Sequence, residues 1–187
     1  MELNKDQQIS LLRLARKTIA DKLNIDVDFK DDSFSDEIFQ EKRGAFVTIH
    51  MRESLRGCIG YIKGVKPMKE TIEDMALSAA FKDPRFISLT KDEYEVIDIE
   101  ISILTPIVVL ENIEDVKVGR DGLIITRGFQ SGLLLPQVPV EQGWDRDTFI
   151  EHTCYKAGLP ANAWKDPETK IETFSAQVFS EIELNLI

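Results

Sequence analysis

The sequence predicts an α+β fold with a mainly antiparallel sheet. Two segments, 45–84 and 123–160, each show the pattern of a β-hairpin, a loop, a helix and a proline stop. Strands that come in hairpins with few helices between them favour antiparallel pairing, because parallel strands need long crossover connections. The two segments share negligible sequence identity, so the pattern indicates two hairpin–helix repeats without proving a duplication.

The first helix and the first repeat follow from local signals. Asn4 and Gln7 have the spacing of a capping box, and apolar residues then recur at helical spacing up to Leu23. Residues 45–51 and 55–62 are rich in β-forming residues and flank the polar turn 52–54. Pro67 suits the first turn of a helix, and an apolar stripe follows it: Met68, Ile72, Met75, Ala76, Ala79 and Ala80.

The second half is predicted in the same way. Residues 96–104 alternate isoleucines with polar residues, which is typical of a half-buried strand. A second hairpin is expected over 123–126 and 133–135. Asp145 is a good N-cap for a helix that stops at Gly158, and alternation from 174 to 186 predicts one C-terminal strand.

Composition narrows the class of protein. The 187 residues fit one domain spanning 1–187, or two small intertwined lobes at about 1–95 and 96–187. The formal net charge of −10 argues against general binding to nucleic acid or to an anionic membrane. Two cysteines form no disulfide framework, and no apolar run approaches the ~18 residues of a membrane span. We expect a cytoplasmic protein with reduced thiols, no cofactor and no metal, because its two histidines lie in no ligand cluster.

The densest unusual stretch surrounds Cys58. Strand alternation places Arg56 and Cys58 on one face, with Cα atoms ~7 Å apart, where a guanidinium can favour the reactive thiolate. Gly57 and Gly60 weaken a strand, so they indicate a bulge or the close approach of a ligand, a partner or another segment of the chain. The alternative is that Cys58 is simply a core residue, since free cysteine is often buried.

Other candidates depend on geometry that the sequence leaves open. His50 shares the face of Cys58 only if the turn has an odd number of residues, and then lies diagonal to it at ~7–8 Å between Cα atoms. Glu100, on the polar face of its strand, serves either as a general base or as the partner of an arginine. Cys154 falls on the apolar stripe of its helix, which predicts a core residue.

Several segments together resemble one known family. The hexapeptide Leu-Arg-Gly-Cys-Ile-Gly at 55–60 is the hallmark of the AMMECR family, named after the Alport syndrome, midface hypoplasia and elliptocytosis chromosomal region. Similar segments follow in order at 83–86, 100–104, 119–123, and 135–138 with 141–145, so the resemblance runs from about 10 to 182. Ile87 and Ser88 depart from the pattern, where the family more often has prolines.

The resemblance implies a fold of two β-hairpin/helix repeats that share a barrel-like sheet, in an intracellular protein. It implies no reaction, because the family has no settled activity. Prokaryotic relatives are associated with a Memo-like protein and a radical S-adenosylmethionine enzyme, which implies a place in a modification pathway and partners of those kinds.

Two functions are consistent with these residues. The first is a binding protein that takes an anionic small molecule or a protein partner in a cleft containing Arg56 and Cys58. The second is an enzyme in which Cys58 is the nucleophile or the substrate attachment point. In it, Arg56 stabilises the thiolate or binds an anionic substrate, and Glu100 or Glu141 transfers protons. The expected ligand-binding residues are Arg56, Gly57, Gly60, Asp83, Arg85, Glu141 and Trp144.

Overall fold

The computed structural model describes residues 2–27, 34–52 and 54–187. The chain divides into two compact units, one formed by 1–104 with 177–187 and the other by 105–176. The helices are α1 (Lys5–Leu23), α2 (Glu37–Gln40), α3 (Met68–Phe81), α4 (Lys91–Tyr94), α5 (Gln137–Glu141) and α6 (Arg146–Lys156). The strands are β1 (Ala45–Met51), β2 (Ser54–Tyr61), β3 (Ile97–Leu104), β4 (Val108–Val109), β5 (Gly122–Arg127), β6 (Gln130–Leu134), β7 (Lys170–Phe174) and β8 (Ala176–Ser180).

The first unit is a four-stranded sheet with helices α1 and α3 packed on one face. The strand order is β2-β1-β3-β8, and β1 runs antiparallel to both β2 and β3. The alternating isoleucines of β3 are buried on the helix side, as their period predicts. The apolar stripe of α3 is buried against β1 and β2, and the predicted capping box of Asn4 and Gln7 opens α1.

The second unit has its own sheet and its own core. Its strand order is β4-β7-β5-β6, and the neighbouring strands β4–β7, β7–β5 and β5–β6 pair antiparallel. Helix α6 begins after the predicted N-cap Asp145, whose carboxylate accepts the Thr148 amide, and packs against β5 and β6. Phe149, Ile150 and Cys154 are fully buried in this core, so the core position expected for Cys154 is confirmed.

The single barrel-like sheet expected from the resemblance is not confirmed. Helices and antiparallel sheets together give the α+β fold that was predicted. The described residues, however, form two four-stranded sheets and no closed barrel.

The single C-terminal strand predicted from alternation is wrong. Alternation continues through Ser175, yet β7 pairs with β5 in the second sheet and β8 joins β3 in the first. The strand then ends at Ser180, because the next residue turns inward: the buried Glu181 carboxylate accepts hydrogen bonds from the Arg16 guanidinium (Nη2, 2.6 Å) and from the Ile99 amide (2.8 Å).

Candidate functional site

Cys58 lies on β2, which is an edge strand, and side chains occupy its outer hydrogen-bonding positions. The Cys58 amide donates to the Asp83 carboxylate (2.9 Å), and its carbonyl accepts from Nη2 of Arg85 (3.2 Å). Edge strands normally leave such groups unpaired. Asp83 and Arg85, which follow the end of α3, therefore act as a clamp on this edge, and we call the pair the Asp83–Arg85 clamp.

The clamp is an ion pair with one buried and one exposed partner. Arg85 donates to both carboxylate oxygens of Asp83, through Nε (2.9 Å) and Nη2 (2.6 Å). The Asp83 side chain is 1% exposed, whereas that of Arg85 is 54% exposed. Hydrogen bonds from the Arg85 guanidinium, and then from the Cys58 and Arg85 amides, hold the pKa of the Asp83 carboxyl far below its usual range, against the opposing effect of burial.

A β-bulge places Cys58 on the same face as His50. Met51 and Ser54 form the last pair before the turn. A regular register counted from this pair would put the side chains of His50 and Cys58 on opposite faces. The register shifts at His50, which pairs with Leu55, while Ile49 pairs with Gly57, so that Arg56 is the extra residue. The sequence predicted a shared face for His50 and Cys58 only if the turn had an odd number of residues; here the extra residue of the bulge puts them on one face. Glu53, in the turn, lies outside the described residues.

Cys58, Thr48 and Glu100 form one cross-strand row. Thr48 pairs with Cys58 on one side and with Glu100 on the other. The Cys58 and Glu100 Cα atoms are therefore about 10 Å apart, the sum of one non-hydrogen-bonded and one hydrogen-bonded pair. The Thr48 hydroxyl donates to the Cys58 sulfur at 3.2 Å, and Cys58 itself is half-buried. The row presents a thiol, a hydroxyl and a carboxyl on the face that does not pack on the helices.

Glu100 makes no hydrogen bond or ion pair with the residues the structure describes. Burial raises the pKa of its carboxyl; His50 acts in the opposite direction, and the carboxylates of Asp98 and Glu183 raise it further. The sequence left two roles open for Glu100, a general base or the partner of an arginine. Among the described residues it pairs with no arginine. The carboxyl holds its proton to higher pH than an exposed glutamate would.

Arg56 is largely buried and paired. Its guanidinium donates through Nε (2.8 Å) and Nη2 (3.1 Å) to the two oxygens of Glu93, and through Nη2 to the Ile87 carbonyl (2.9 Å). Glu93 also closes the capping box of α4, so Arg56 ties the bulge to the start of that helix. The ring of Phe86 lies 5.8 Å from Cζ of Arg56 and 5.5 Å from Cζ of Arg85, so both guanidiniums contact one aromatic ring.

The two glycines of the hexapeptide are explained by close approach within the chain. A Cβ on Gly57 would lie 2.2 Å from the Ala79 carbonyl oxygen of α3, and one on Gly60 would lie 2.3 Å from the ring of Phe46. The sequence left open whether a ligand, a partner or another segment of the chain approaches these glycines. At both positions another segment of the same chain does so.

Glu141 and Trp144, also expected at the site, belong to the second unit. Glu141 ends α5 and is exposed, and Trp144 stacks on His152 with ring centroids 3.9 Å apart. The first unit brings together Arg56, Gly57, Cys58, Gly60, Asp83, Arg85 and Glu100. Cys154 is fully buried in the second unit, where burial raises the pKa of its thiol.

Neither a metal-binding cluster nor a membrane-spanning helix occurs in the part of the chain that the structure describes. The described residues contain no group of three or more His, Cys, Asp or Glu side chains arranged to hold a metal ion. Within the same residues, every helix is too short or too polar to span a bilayer.

Comparison with known proteins decides the family. The AMMECR1 family model matches residues 12–179. The chain belongs to the AMMECR1 family. A protein of Methanocaldococcus jannaschii is 50% identical over 155 residues, covering 79% of this chain and 77% of the relative. A protein of Methanothermobacter thermautotrophicus is 42% identical over 186 residues, covering 96% of each chain.

A solved structure of an AMMECR1-family relative has the same fold. The crystal structure of an uncharacterized protein from Pyrococcus horikoshii matches with a TM-score of 0.83 and 37% identity, covering 99% of this chain and 96% of that one. The family and the α+β fold predicted from the sequence are confirmed.

Three residues of this AMMECR1-family site were missed from the sequence. Thr48 lies in a strand whose pairing partner depends on the bulge, so no local signal marks its contact with Cys58. Phe86 belongs to the quoted segment 83–86 but was not singled out as a site residue. Glu93 was detectable as half of a capping box with Thr90, although that pattern carries no hint of Arg56.

Proposed function

We propose that this protein binds an anionic group, on a small molecule or on a protein partner, at the surface around Cys58. The observation that carries the proposal is the state of Arg85. Its side chain is 54% exposed, yet it is held in place by Asp83 and by the Cys58 carbonyl. A cation that is both fixed and accessible loses little conformational freedom when it binds a ligand.

Arg85 has donors to spare. A guanidinium carries five N–H donors, and its fork matches carboxylate and phosphate. Nε donates to Asp83, and Nη2 donates to Asp83 and to Cys58. The two hydrogens of Nη1 have no acceptor among the described residues, so they are free for an incoming anion.

Arg56 has a positioning role in this proposal. Its guanidinium and that of Arg85 contact the same Phe86 ring, and its ion pair with Glu93 fixes the bulge beside Cys58. Asp83 orients Arg85, which donates to the carbonyl of the half-buried Cys58. Gly57 and Gly60 allow the strand to pack closely enough to present this arrangement.

The test uses two reagents with the same reactive carbon. Iodoacetate is an anion and iodoacetamide is neutral, so the ratio of their rates at Cys58 measures attraction of an anion. We expect the ratio to exceed that of the same cysteine in denaturant, and Arg85→Gln to lower it about fivefold, the effect of about 1 kcal/mol of Coulomb attraction. Inorganic phosphate is expected to slow iodoacetate more than iodoacetamide.

The chain contains a matched control. Arg120 pairs with Asp121 through Nε (2.7 Å) and Nη2 (2.6 Å), and its side chain is 52% exposed. Arg120→Gln is expected to leave the reagent ratio at Cys58 unchanged. Equal ratios in wild type and Arg85→Gln would contradict the proposal.

A second candidate function is acyl transfer through Cys58. It is favoured by the Thr48 hydroxyl at 3.2 Å from the sulfur and by the raised pKa of Glu100 on the same row. The sulfur, after losing its proton to solvent, attacks an acyl carbon; the bond to the leaving group breaks, and Glu100 donates a proton to that group and regains one from solvent. No oxidation state changes.

Phenyl acetate provides the test of this candidate. Mass spectrometry is expected to find one acetyl group on Cys58 and none on the buried Cys154, with Glu100→Gln slowing acetylation. A rate no greater than that of a free cysteine would argue against the enzyme.

The resemblance adds a Memo-like protein and a radical S-adenosylmethionine enzyme as proposed partners in a cytoplasmic modification pathway.

A further inference from the structure

A cavity of about 570 Å³ lies at one end of the first sheet, next to the row that contains Cys58. It is lined by the end of β1 and the turn after it (His50 and Arg52), by the residues that lead into β3 (Glu95 and Val96), and by Ile182 and Ile187. His50 pairs with Asp98 of β3, two residues along the strands from the Thr48–Glu100 pair and on the same face of the sheet. The volume is in the range of small-molecule sites.

The walls of the cavity are exposed aliphatic side chains. Val96, Ile182 and Ile187 are 52%, 61% and 63% exposed. Single apolar residues on a surface need no explanation, but three large ones around one cavity form an unpartnered apolar lining. Among the described residues the lining contains no Phe, Tyr or Trp side chain, so its apolar part suits a branched aliphatic group.

The cavity is formed in advance by an ordered segment. The Ile182 amide donates to the Asp98 carboxylate (3.1 Å), and the Leu186 amide donates to the Glu181 carbonyl (2.9 Å). Glu181 itself is fixed by Arg16 and the Ile99 amide. The isoleucine walls are therefore held in position by hydrogen bonds on both sides of Ile182.

A cation and an anion share the mouth of this cavity without pairing. Arg52 follows Met51, which pairs with Ile97 of β3, and Glu95 lies two residues before Ile97. Their side chains thus start from the same end of the sheet. Both are exposed, and neither makes an ion pair or a hydrogen bond with the residues the structure describes.

We propose that this cavity binds a zwitterionic amino acid with a branched aliphatic side chain. Arg52 receives its carboxylate, Glu95 receives its ammonium group, and Val96, Ile182 and Ile187 pack against its side chain. Asp98 and His50, which pair across β1 and β3, also line the cavity. The proposal goes beyond the binding function at Cys58 and does not depend on it.

The experiment is calorimetric titration of the full chain with L-leucine and three analogues that each lack one recognised group. These are 4-methylpentanoate without the ammonium, 3-methylbutylamine without the carboxylate, and glycine without the side chain. We expect leucine to bind and each analogue to bind at least about tenfold more weakly.

Variants locate the site. Arg52→Gln is expected to weaken leucine about tenfold without affecting 3-methylbutylamine, and Glu95→Gln to weaken leucine without affecting 4-methylpentanoate. Lys63→Gln, an exposed change outside the cavity, and Cys58→Ala are expected to leave the affinity unchanged. Absence of saturable leucine binding up to about 10 mM overturns the proposal, as does equal binding to Arg52→Gln and wild type. Neither result affects the reagent ratio at Cys58, so the two proposals fail separately.

Discussion

Replacing Asp83 by asparagine tests whether the Asp83–Arg85 clamp holds the edge of β2. The buried carboxylate accepts two backbone amides, those of Cys58 (2.9 Å) and Arg85 (3.1 Å). A hydrogen bond to a charged acceptor contributes about 1.5 kcal/mol at the low end, and the pair with the half-exposed Arg85 adds about 0.5 kcal/mol after screening. Asparagine keeps one carbonyl oxygen and therefore one of the two amide bonds. We expect Asp83→Asn to lower the free energy of unfolding by about 2 kcal/mol.

Two assays measure this effect. A loss of about 2 kcal/mol moves the urea midpoint of far-ultraviolet circular dichroism by roughly 1 M, and increases hydrogen exchange at the Cys58 amide about 30-fold if the strand edge opens locally. Tryptophan fluorescence is unsuitable as the main probe, because Trp144 and Trp164 both lie in the second unit.

The pH dependence of stability gives a second test of Asp83→Asn. The pKa of Asp83 is lower in the folded than in the unfolded protein, so its contribution is complete above the unfolded value of ~3.9 and is lost as pH falls further. The gap between wild type and Asp83→Asn is thus expected at pH 7 and shrinks below about pH 4. Asp121→Asn, which breaks the similar pair with Arg120, is the control: it destabilises the second unit without increasing exchange at Cys58. Unchanged exchange at Cys58 in Asp83→Asn would refute the clamp.

Three further changes have definite expected outcomes. Gly57→Ala forces a methyl group against the backbone of α3 and is expected to destabilise by about 3 kcal/mol in urea unfolding, whereas Gly128→Ala, with φ of 58° and open space around it, costs about 1 kcal/mol. Glu181→Gln leaves the buried Arg16 without its anion and is expected to cost about 3 kcal/mol by the same measurement; retention of full stability would show that the pair is solvated. Because burial raises the pKa of Glu100, Glu100→Gln is expected to stabilise the protein at pH 7, with the difference vanishing toward about pH 4; an effect independent of pH would contradict this assignment.

Local patterns predicted the elements well and the contacts between them poorly. The capping box of Asn4, the alternation predicted over 96–104 and the N-cap Asp145 all describe residues within one element. The structure has each of them, with β3 beginning at Ile97. The Asp83–Arg85 clamp joins residues 25 and 27 positions from Cys58, and no local spacing encodes such a contact.

Where a pattern misled, a tertiary contact overrode it. The residues 174–186 alternate in polarity, but the chain passes from one sheet to the other at Ser175. The strand then ends before Glu181, whose carboxylate accepts a hydrogen bond from Arg16. The face shared by His50 and Cys58 depended on a bulge of one residue at Arg56. A shift of one residue moves every later side chain to the opposite face, which is why parity alone could not decide it.

The chain leaves the first unit after residue 104 and returns at 177, and this order constrains how the protein is made on the ribosome. Residues 105–176 are continuous and can fold as soon as they have been synthesised. The first unit must wait, because Arg16 meets Glu181 only after 165 further residues have been added. Until then α1 carries a guanidinium without its anion, and the outer side of β3 is open for pairing. Nascent chains of intermediate length are therefore the species most exposed to strand-edge aggregation and most in need of chaperone protection.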